Sequence, residues 1–243
     1  MKVAVITPYT SEPDAWIEQC CQSVQAQTHR ADHLLIADGC PRPICRELST
    51  RHLELPTRSA DYGHSPRRLA CVAALIWGYD AVAFLDADNW FEPDHIESLV
   101  TAHRQTGADV CTSARTLTRL DGTLLGYCLN SDGRSFCDMN CLFLTTHLLR
   151  TDWAVMSFPD WAAPICDRAI WSNILRMGLA TTHTGKPTIC YRTKFHGHYE
   201  AFGETLPDGI GAPVFNVEQA LERWKRETGE DLSFDVRVSK QLP

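Results

Sequence analysis

The chain has 243 residues, of which 44% are hydrophobic and 22% are charged, the proportions of an ordinary globular protein. The net charge is −7 and no block of basic residues occurs, which argues against a nucleic-acid groove as the main binding surface. We expect no membrane-spanning helix, because no run of about 18 apolar residues occurs, and the eleven cysteines without a C-x-x-C pair favour a reducing, cytoplasmic environment.

The first forty residues predict a β-α-β unit. β-branched residues over 3–6 indicate a strand, apolar residues at helical spacing indicate a helix over 13–27, and a second apolar run over 33–37 indicates the next strand. Such a unit implies two parallel strands joined by a right-handed crossover. The residues that follow the two strands are Thr7, Pro8 and Tyr9 after the first and Asp38 after the second.

A second predicted helix begins at Pro66, after a stretch over 40–60 that is rich in proline, arginine and serine. The apolar residues that the helical spacing places on one face of this helix are Leu69, Val72, Ala73 and Ile76. The helix leads into the predicted central strand.

This strand, over 82–85, ends in Asp86-Ala87-Asp88. Side chains alternate along an extended chain, so the two carboxylates can face one spot. Two like charges at one spot are best explained by a divalent cation or a strong hydrogen-bond donor, and oxygen ligands favour Mg²⁺ or Mn²⁺. In the alternative interpretation, the two aspartates cap the following helix or lie in a solvated turn.

The second half predicts a mixture of strands and helices. Its elements are a helix over 93–105, a strand over 109–113, a hairpin over 117–127, a strand over 141–145, a helix over 167–177 and a helix that begins at Asn216. β-α-β units followed by such a mixture predict an α/β fold with an open mixed, mostly parallel sheet and helices on both faces. Ligands of such sheets bind beyond the carboxyl ends of the strands, where the polar residues named above fall.

Three strand ends of this kind, in this order and spacing, resemble the glycosyltransferases of family 2, which have the Rossmann-like GT-A fold of nucleotide-diphospho-sugar transferases. The resemblance covers most of the chain. It implies a single domain over 1–243, with a nucleotide-binding half over 1–110 and an acceptor-binding half over 111–243. It also implies a hexosyltransferase-like enzyme that moves a sugar from a nucleotide-diphosphate donor, UDP-linked, to an acceptor hydroxyl with inversion and with help from Mn²⁺ or Mg²⁺.

The resemblance also implies site residues in the first half. The implied nucleotide contacts are Thr7, Pro8, Tyr9, Asp38, Arg68, Asp86 and Ala87. Arg68 falls on the family's arginine when counted from Gly63, in the segment Asp61-Tyr62-Gly63. Asp86 and Asp88 match the family's metal-binding D-x-D.

In the second half, the resemblance implies a catalytic base, a metal ligand and sugar contacts. Asp167 and Gly178 have the separation of the family's base and helix end, and Asp160 is the competing base. Either His196 or His198 could complete the metal shell. Asp138 and Asn140, which precede a strand, are candidate contacts to the donor sugar.

Two other classes of protein fit part of the pattern. A sugar-nucleotide pyrophosphorylase shares the α/β sheet and the carboxylate pair, but it wraps a triphosphate in a glycine-rich loop, and residues 7–14 contain no glycine. A non-catalytic nucleotide-sugar-binding protein would keep the pocket without turnover. For the favoured interpretation, we expect a nucleotide sugar and a carbohydrate or other hydroxyl acceptor as partners, no nucleic acid, and at most a peripheral membrane contact.

Overall fold

The computed structural model describes residues 1–208, 210 and 217–242. Within these ranges, apolar segments form one ten-stranded sheet. The strands are β1 (Val3–Tyr9), β2 (Ala31–Asp38), β3 (Arg51–Leu55), β4 (Ala81–Phe84), β5 (Trp90–Phe91), β6 (Val110–Thr118), β7 (Leu124–Cys128), β8 (Leu142–Thr145), β9 (Thr181–Arg192) and β10 (Val238–Ser239). Their order across the sheet is β10-β7-β6-β8-β4-β1-β2-β3, and β9 pairs with β6 and β5.

The sheet is parallel in its first half. β1 pairs in parallel with β2 and β4, and β2 pairs in parallel with β3. Every residue of β1 and β4 is buried, which is typical of parallel strands that are covered on both faces. Beyond β4, the pairs β4–β8, β8–β6 and β6–β7 are antiparallel. The mixed open sheet is therefore confirmed, with most of its parallel pairs in the first half.

Helices connect and cover these strands. In the described ranges they are α1 (Asp14–Gln25), α2 (Pro43–Leu48), α3 (His64–Ile76), α4 (His95–Thr106), α5 (Thr146–Thr151), α6 (Cys166–Arg176), α7 (His196–Phe202) and α8 (Val217–Thr228), with 3₁₀ helices at Met139–Cys141, Trp153–Met156 and Asp160–Ile165. The predicted start of the last helix, Asn216, lies outside the described residues. None of the described helices combines the length and the apolar character that crossing a bilayer requires.

Helix α3 packs on the sheet with the face opposite to the apolar one. Small side chains and one arginine are buried, at Pro66, Arg67, Ala70, Cys71 and Ala74. The apolar face that the spacing marked is largely in solvent: Leu69, Val72 and Ile76 are exposed, Ile76 to 76%. Both stripes have helical spacing, so periodicity identifies the helix but does not decide which face meets the sheet.

Strand β9 and helix α7 are absent from the sequence prediction. The sequence of β9, TTHTGKPTICYR, contains Gly185 and Pro187, which are typical of a turn. In the structure β9 pairs in parallel with β6, and the register shifts on both sides of the Ala114–Pro187 pair. Proline has no N–H to donate to a neighbouring strand, so within a sheet it is found at irregularities of this kind.

Candidate functional site

The carboxyl ends of β1, β2 and β4 border a cavity of about 550 Å³. Six residues that the sequence predicts for the site line it: Pro8, Tyr9, Asp38, Asp86, Ala87 and Asp88. Neighbouring parallel strands end at the same edge of a sheet, and this brings together residues that are up to eighty positions apart in the chain. The structure thus places most of the predicted nucleotide contacts around one space.

Thr7 lies beneath this cavity and does not line it. Strand β1 continues through Tyr9, so Thr7 is an interior strand residue, and its Oγ1 atom lies 2.9 Å from Nε2 of His33. Thr7 and Tyr9 point to the same face of β1, because side chains alternate along a strand. The prediction of Thr7 as a nucleotide contact assumed that the strand ended before it.

Tyr9 is a buried wall residue. Its hydroxyl oxygen lies 2.8 Å from Nε2 of His52 and accepts a hydrogen bond from the backbone N–H of Arg42 at 3.0 Å. The ring also packs with Ile17 and Cys45. Burial raises the pKa of Tyr9 above its usual range, so the side chain is a neutral phenol that is held rigidly at the border of the cavity.

Asp38 holds the loop between β3 and α3, residues 56–63, at the cavity by hydrogen bonds. Both of its carboxylate oxygens accept hydrogen bonds from Ser59, one from the backbone N–H at 2.7 Å and one from the hydroxyl at 2.8 Å. The loop also lies directly against Gly39, where a Cβ atom would be 2.4 Å from the backbone nitrogen of Arg58. Gly39 has a φ of +78°, which glycine adopts without strain.

Two residues of this loop that the sequence prediction did not select, Ala60 and Tyr62, also line the cavity. Their φ angles are +55° and +59°, values that residues other than glycine adopt at a cost of about 1–3 kcal/mol. Such strain is concentrated at functional sites. Tyr62 is 44% exposed.

Asp86 is held by a buried polar network. Its backbone N–H donates to Oδ1 of Asn140 at 2.6 Å, and Nδ2 of Asn140 donates to Oδ2 of Asp86 at 2.9 Å and to Oδ1 of Asp138 at 2.8 Å. Asp138 in turn forms a buried ion pair with Arg115. Asn140 and Asp138, predicted as sugar contacts, therefore have hydrogen bonds to protein groups and act in this structure as supports for Asp86.

Of the two adjacent arginines in α3, Arg67 lines the cavity, as Arg58 of the preceding loop also does, and Arg68 does not. Arg67 is 4% exposed; its guanidinium donates to the carboxylate of Asp86 and, at 2.7 Å, to the backbone oxygen of Tyr62. Arg68 lies over the ring of Trp153, with its guanidinium carbon 5.9 Å from the ring centroid. Successive helix residues point about 100° apart, so only one of the two arginines can face the sheet edge. The structure therefore favours Arg67 over the predicted Arg68 at this cavity.

Asp88 has a basic partner that the sequence prediction did not select. Nζ of Lys194 donates to Oδ2 of Asp88 at 2.7 Å. The pKa of Asp88 is raised, above all by burial and also by the negative charges of Asp86 and Glu12, while Lys194 lowers it. The available signal in the sequence was a lysine two residues before the first of the two predicted histidines.

Arg192, at the end of β9, fixes the backbone of the D-x-D turn. Its guanidinium donates to the backbone oxygen of Asp88 and, at 2.7 Å, to Oε1 of Gln19. The rings of Trp16 and Trp90 lie 4.5 and 5.0 Å from its guanidinium carbon. These contacts hold the late segment of the chain, which includes Lys194, next to Asp88 at the edge of the cavity.

Neither predicted histidine contacts the two aspartates. His198 is buried between Phe195 and Tyr191, its Nδ1 atom lies 2.7 Å from Oγ1 of Thr193, and burial lowers its pKa to about 3. His196 pairs on the surface with Glu200 at 3.2 Å.

The carboxylates that were predicted to hold a metal ion are engaged by other protein groups. Throughout the described ranges, no group of three or more His, Cys, Asp or Glu side chains could hold one. Both oxygens of Asp86 accept hydrogen bonds, from Arg67 and Asn140, and Lys194 already neutralises Asp88. The predicted Mg²⁺ or Mn²⁺ stays a prediction that the structure does not test, and no step below depends on it.

Asp167, one of the two predicted bases, lies in the first turn of α6. Its Oδ1 atom accepts the backbone N–H of Arg168 at 2.8 Å. Its pKa is raised to about 6, first by burial and then by the negative charge of Asp138, against the lowering effects of Arg168 and Arg115. A carboxyl group with such a pKa near the site is a candidate general base.

Asp160, the competing base, is exposed in a 3₁₀ helix. Cys166, the residue before Asp167, has its pKa raised to about 12, mainly by burial; the charges of Arg67 and Asp86 also act on it. The start of α6 therefore lies within electrostatic reach of the D-x-D motif. Burial and these electrostatic contacts favour Asp167 over the exposed Asp160 as the candidate base.

Solved structures of S. aureus TarS have a similar fold. TarS 1-349 in complex with UDP-GlcNAc has a TM-score of 0.64 and 15% identity, with 93% of this chain and 65% of that chain covered. TarS 1-349 in complex with UDP has a TM-score of 0.60 and 15% identity, with 95% and 72% covered. The protein spans 44% of the length of a longer S. aureus TarS chain, at a TM-score of 0.59 and 14% identity.

Sequence comparisons give a family but no individual relative. A search of curated proteins gives no significant match. The sequence pattern of glycosyl transferase family 2 matches residues 4–160, which include β1 to β4, the cavity and the D-x-D motif. Since this match covers more than half of the chain, the protein belongs to glycosyl transferase family 2.

Proposed function

We propose that the protein transfers a sugar from a UDP-linked donor to an acceptor hydroxyl, with inversion at the anomeric carbon. The observation that carries the proposal is the cavity at the carboxyl ends of β1, β2 and β4, where Asp38, Asp86 and Asp88 share one space. Ligands of open α/β sheets bind at this edge. Family membership, and the UDP and UDP-GlcNAc complexes of S. aureus TarS, support a nucleotide-sugar donor.

The cavity has the size and the polar groups that a nucleotide requires. Its volume of about 550 Å³ lies within the range of about 300–1,000 Å³ that is usual for small-molecule sites. Asp38 is a buried acceptor for an N–H of the base or a hydroxyl of the ribose. Two aromatic residues, Tyr9 and Tyr62, line the same cavity.

In the proposed reaction, the bond between C1 of the sugar and the diphosphate oxygen breaks while a bond forms between C1 and the acceptor oxygen. Asp167 takes the proton of the acceptor hydroxyl, and UDP leaves with the electron pair of the broken bond. With a pKa near 6, Asp167 is mostly deprotonated at neutral pH and still has proton affinity. A single displacement of this kind inverts the anomeric configuration.

The second half of the chain contributes the groups that act on and around the reacting atoms. Asp138, Asn140, Asp167 and Lys194 all come from the proposed acceptor-binding half, 111–243. Of these, Asn140 contacts Asp86 and Lys194 contacts Asp88, both in the nucleotide-binding half, 1–110. This division of one domain is part of the proposal.

A cytoplasmic location is also part of the proposal. All eleven cysteines lie in described parts of the chain and are free thiols, which suits a reducing compartment. The pyrophosphorylase interpretation loses its support, because pyrophosphorylases transfer nucleotidyl groups and the matching family is one of glycosyl transferases.

The test is a panel of nucleotide sugars offered with a mixture of carbohydrate and other hydroxyl acceptors. We expect UDP to bind more tightly than GDP, CDP or dTDP, as measured by calorimetry, and a UDP-sugar to release UDP faster when acceptors are present. Proton coupling constants of the purified product should show an inverted anomeric centre. Binding of UDP without any acceptor-dependent release would identify a binding protein, and a retained configuration would contradict the single displacement.

A further inference from the structure

Each carboxylate of the D-x-D motif carries a basic side chain of the same protein. Arg67 donates to Oδ1 of Asp86, and Lys194 donates to Oδ2 of Asp88 at 2.7 Å. Asn140 donates to the other carboxylate oxygen of Asp86. The two negative charges that suggest a divalent cation in the sequence are therefore balanced by two positive charges in the fold.

A divalent cation at this place would meet unfavourable surroundings. The cation would lie close to Arg67 and Lys194, which already donate hydrogen bonds to the two carboxylates that would bind it. Positive charges so close to one another repel strongly. Mg²⁺ also needs near-octahedral oxygen coordination. The two histidines predicted to complete the metal shell have other contacts, His196 with Glu200 and His198 with Thr193. The disagreement between the motif and its surroundings needs an explanation in terms of function.

We propose that Lys194, together with Arg67, forms the diphosphate subsite of the donor cavity, so that the protein binds and uses its nucleotide sugar without a divalent cation. The inference rests on the proposed function, because it assumes a nucleoside diphosphate in the cavity. As the bond to C1 breaks, hydrogen bonds from Lys194 and the nearby positive charge of Arg67 stabilise the negative charge that develops on the diphosphate.

The two basic side chains have different freedom. Arg67 is buried and also bound to the backbone oxygen of Tyr62, so its charge is fixed in the wall. Lys194 has a side chain that is 48% exposed, so it can move towards a ligand. An ammonium group has three N–H donors, which allows Lys194 to keep Asp88 on one and to donate to diphosphate oxygens with the others.

The structure also supplies a direct reporter of this lysine. Nζ of Lys194 lies 5.0 Å from the centroid of the Trp16 ring. If the ammonium group moves towards a diphosphate, the charge next to this indole changes, and so does its fluorescence. A Trp16→Phe variant identifies the part of the signal that comes from this ring.

The experiment measures UDP binding to the full chain by fluorescence and calorimetry, once in EDTA and once with Mn²⁺. We expect the wild type to bind UDP in EDTA, with a Kd that Mn²⁺ changes by less than about twofold. Lys194→Met should weaken binding by about 10- to 100-fold in both solutions, because a hydrogen bond between charged groups is lost. Lys194→Arg should recover most of the affinity. The matched control is Lys186→Met, which removes an exposed lysine that pairs with Asp94.

The outcomes separate this inference from the proposed function. UDP binding that EDTA abolishes and Mn²⁺ restores would overturn the inference and leave the transferase in place. The inference would also be overturned, and the proposed function left in place, if Lys194→Met binds UDP in EDTA as tightly as the wild type does. Tighter binding of UDP by Lys194→Met than by the wild type in Mn²⁺ would have the same consequence. Absence of UDP binding in both solutions would overturn the proposed function and this inference together.

Discussion

Arg67 donates to the carboxylate of Asp86 from the first turn of helix α3, and the side chain of Arg67 is almost fully buried. The next residue, Arg68, is half-buried over Trp153. Two adjacent arginines in one helical turn therefore have different surroundings, and this difference makes them a matched pair for mutagenesis.

Arg67→Met should weaken UDP binding by about tenfold or more and lower stability by about 1–3 kcal/mol, because Asp86 loses its charged partner inside the wall. Arg68→Met should change UDP affinity by less than about twofold and stability by at most ~0.5 kcal/mol. Calorimetry and thermal unfolding measure both effects. Equal losses in the two variants would show that the site does not distinguish the two arginines.

Asp167→Asn should reduce transfer to the acceptor by about 10²–10⁴-fold, the usual contribution of a general base. The affinity for UDP should stay close to that of the wild type, since Asp167 does not line the nucleotide cavity in the described structure. Asp160→Asn is the control and should keep its transfer rate. If the two variants exchange these phenotypes, the base is Asp160.

The pH dependence of kcat/KM should show an acid limb near pH 6, because Asp167 accepts a proton only when it is ionised and its pKa is about 6. Asp138→Asn removes a negative charge that raises this pKa, so the limb should move to lower pH. Asp160→Asn should leave the limb where it is. An unchanged limb in Asp138→Asn, with a folded protein by circular dichroism, would separate Asp138 from the proton transfer.

Stability should report the same carboxyl group. The folded-state pKa of Asp167 is raised above its unfolded value, so its contribution to stability is fully present below the unfolded pKa and is lost as the pH rises through about 6. Asp167→Asn cannot ionise, so it should be more stable than the wild type by on the order of 1–3 kcal/mol at about pH 8, with little difference at about pH 4. Thermal unfolding at the two pH values measures this. A stability difference of the same size at both would contradict the raised pKa.

Gly39→Ala should damage the cavity, whereas Gly78→Ala should not. Both glycines have positive φ angles, +78° and +69°, so alanine is strained at either position by about 1 kcal/mol. A Cβ atom at Gly39 would also meet the backbone of Arg58 at 2.4 Å, while one at Gly78 meets no atom within 4 Å. UDP affinity should therefore fall only in Gly39→Ala. Loss of UDP binding in Gly78→Ala as well would point to general destabilisation.

Much of the fold could be predicted from local patterns. Apolar runs identified β1, β2, β4 and β8, and the Asp121-Gly122 pair identified the hairpin between β6 and β7. Strand β9 was not predicted, because its Gly185 and Pro187 are typical of a turn. Only the irregular pairing with β6 accommodates them in a strand. Helices α1, α3, α4 and α6 were predicted to within a few residues, whereas α7 was not predicted, and the apolar face of α3 lies largely in solvent.

The sequence by itself determined the first β-α-β unit, the strand β4 and the polar residues Asp38 and Asp86 at the ends of β2 and β4, because these follow from neighbours in the chain: apolar runs form buried strands, and polar residues mark where those strands stop. Only the tertiary structure decided that Arg67 rather than Arg68 meets Asp86, since that choice depends on the rotation of α3 against the sheet. It also decided that Lys194, 106 residues away in the chain, lies on Asp88. The pairing of β9 with β6 brings this lysine there, and no local pattern encodes a contact over that separation.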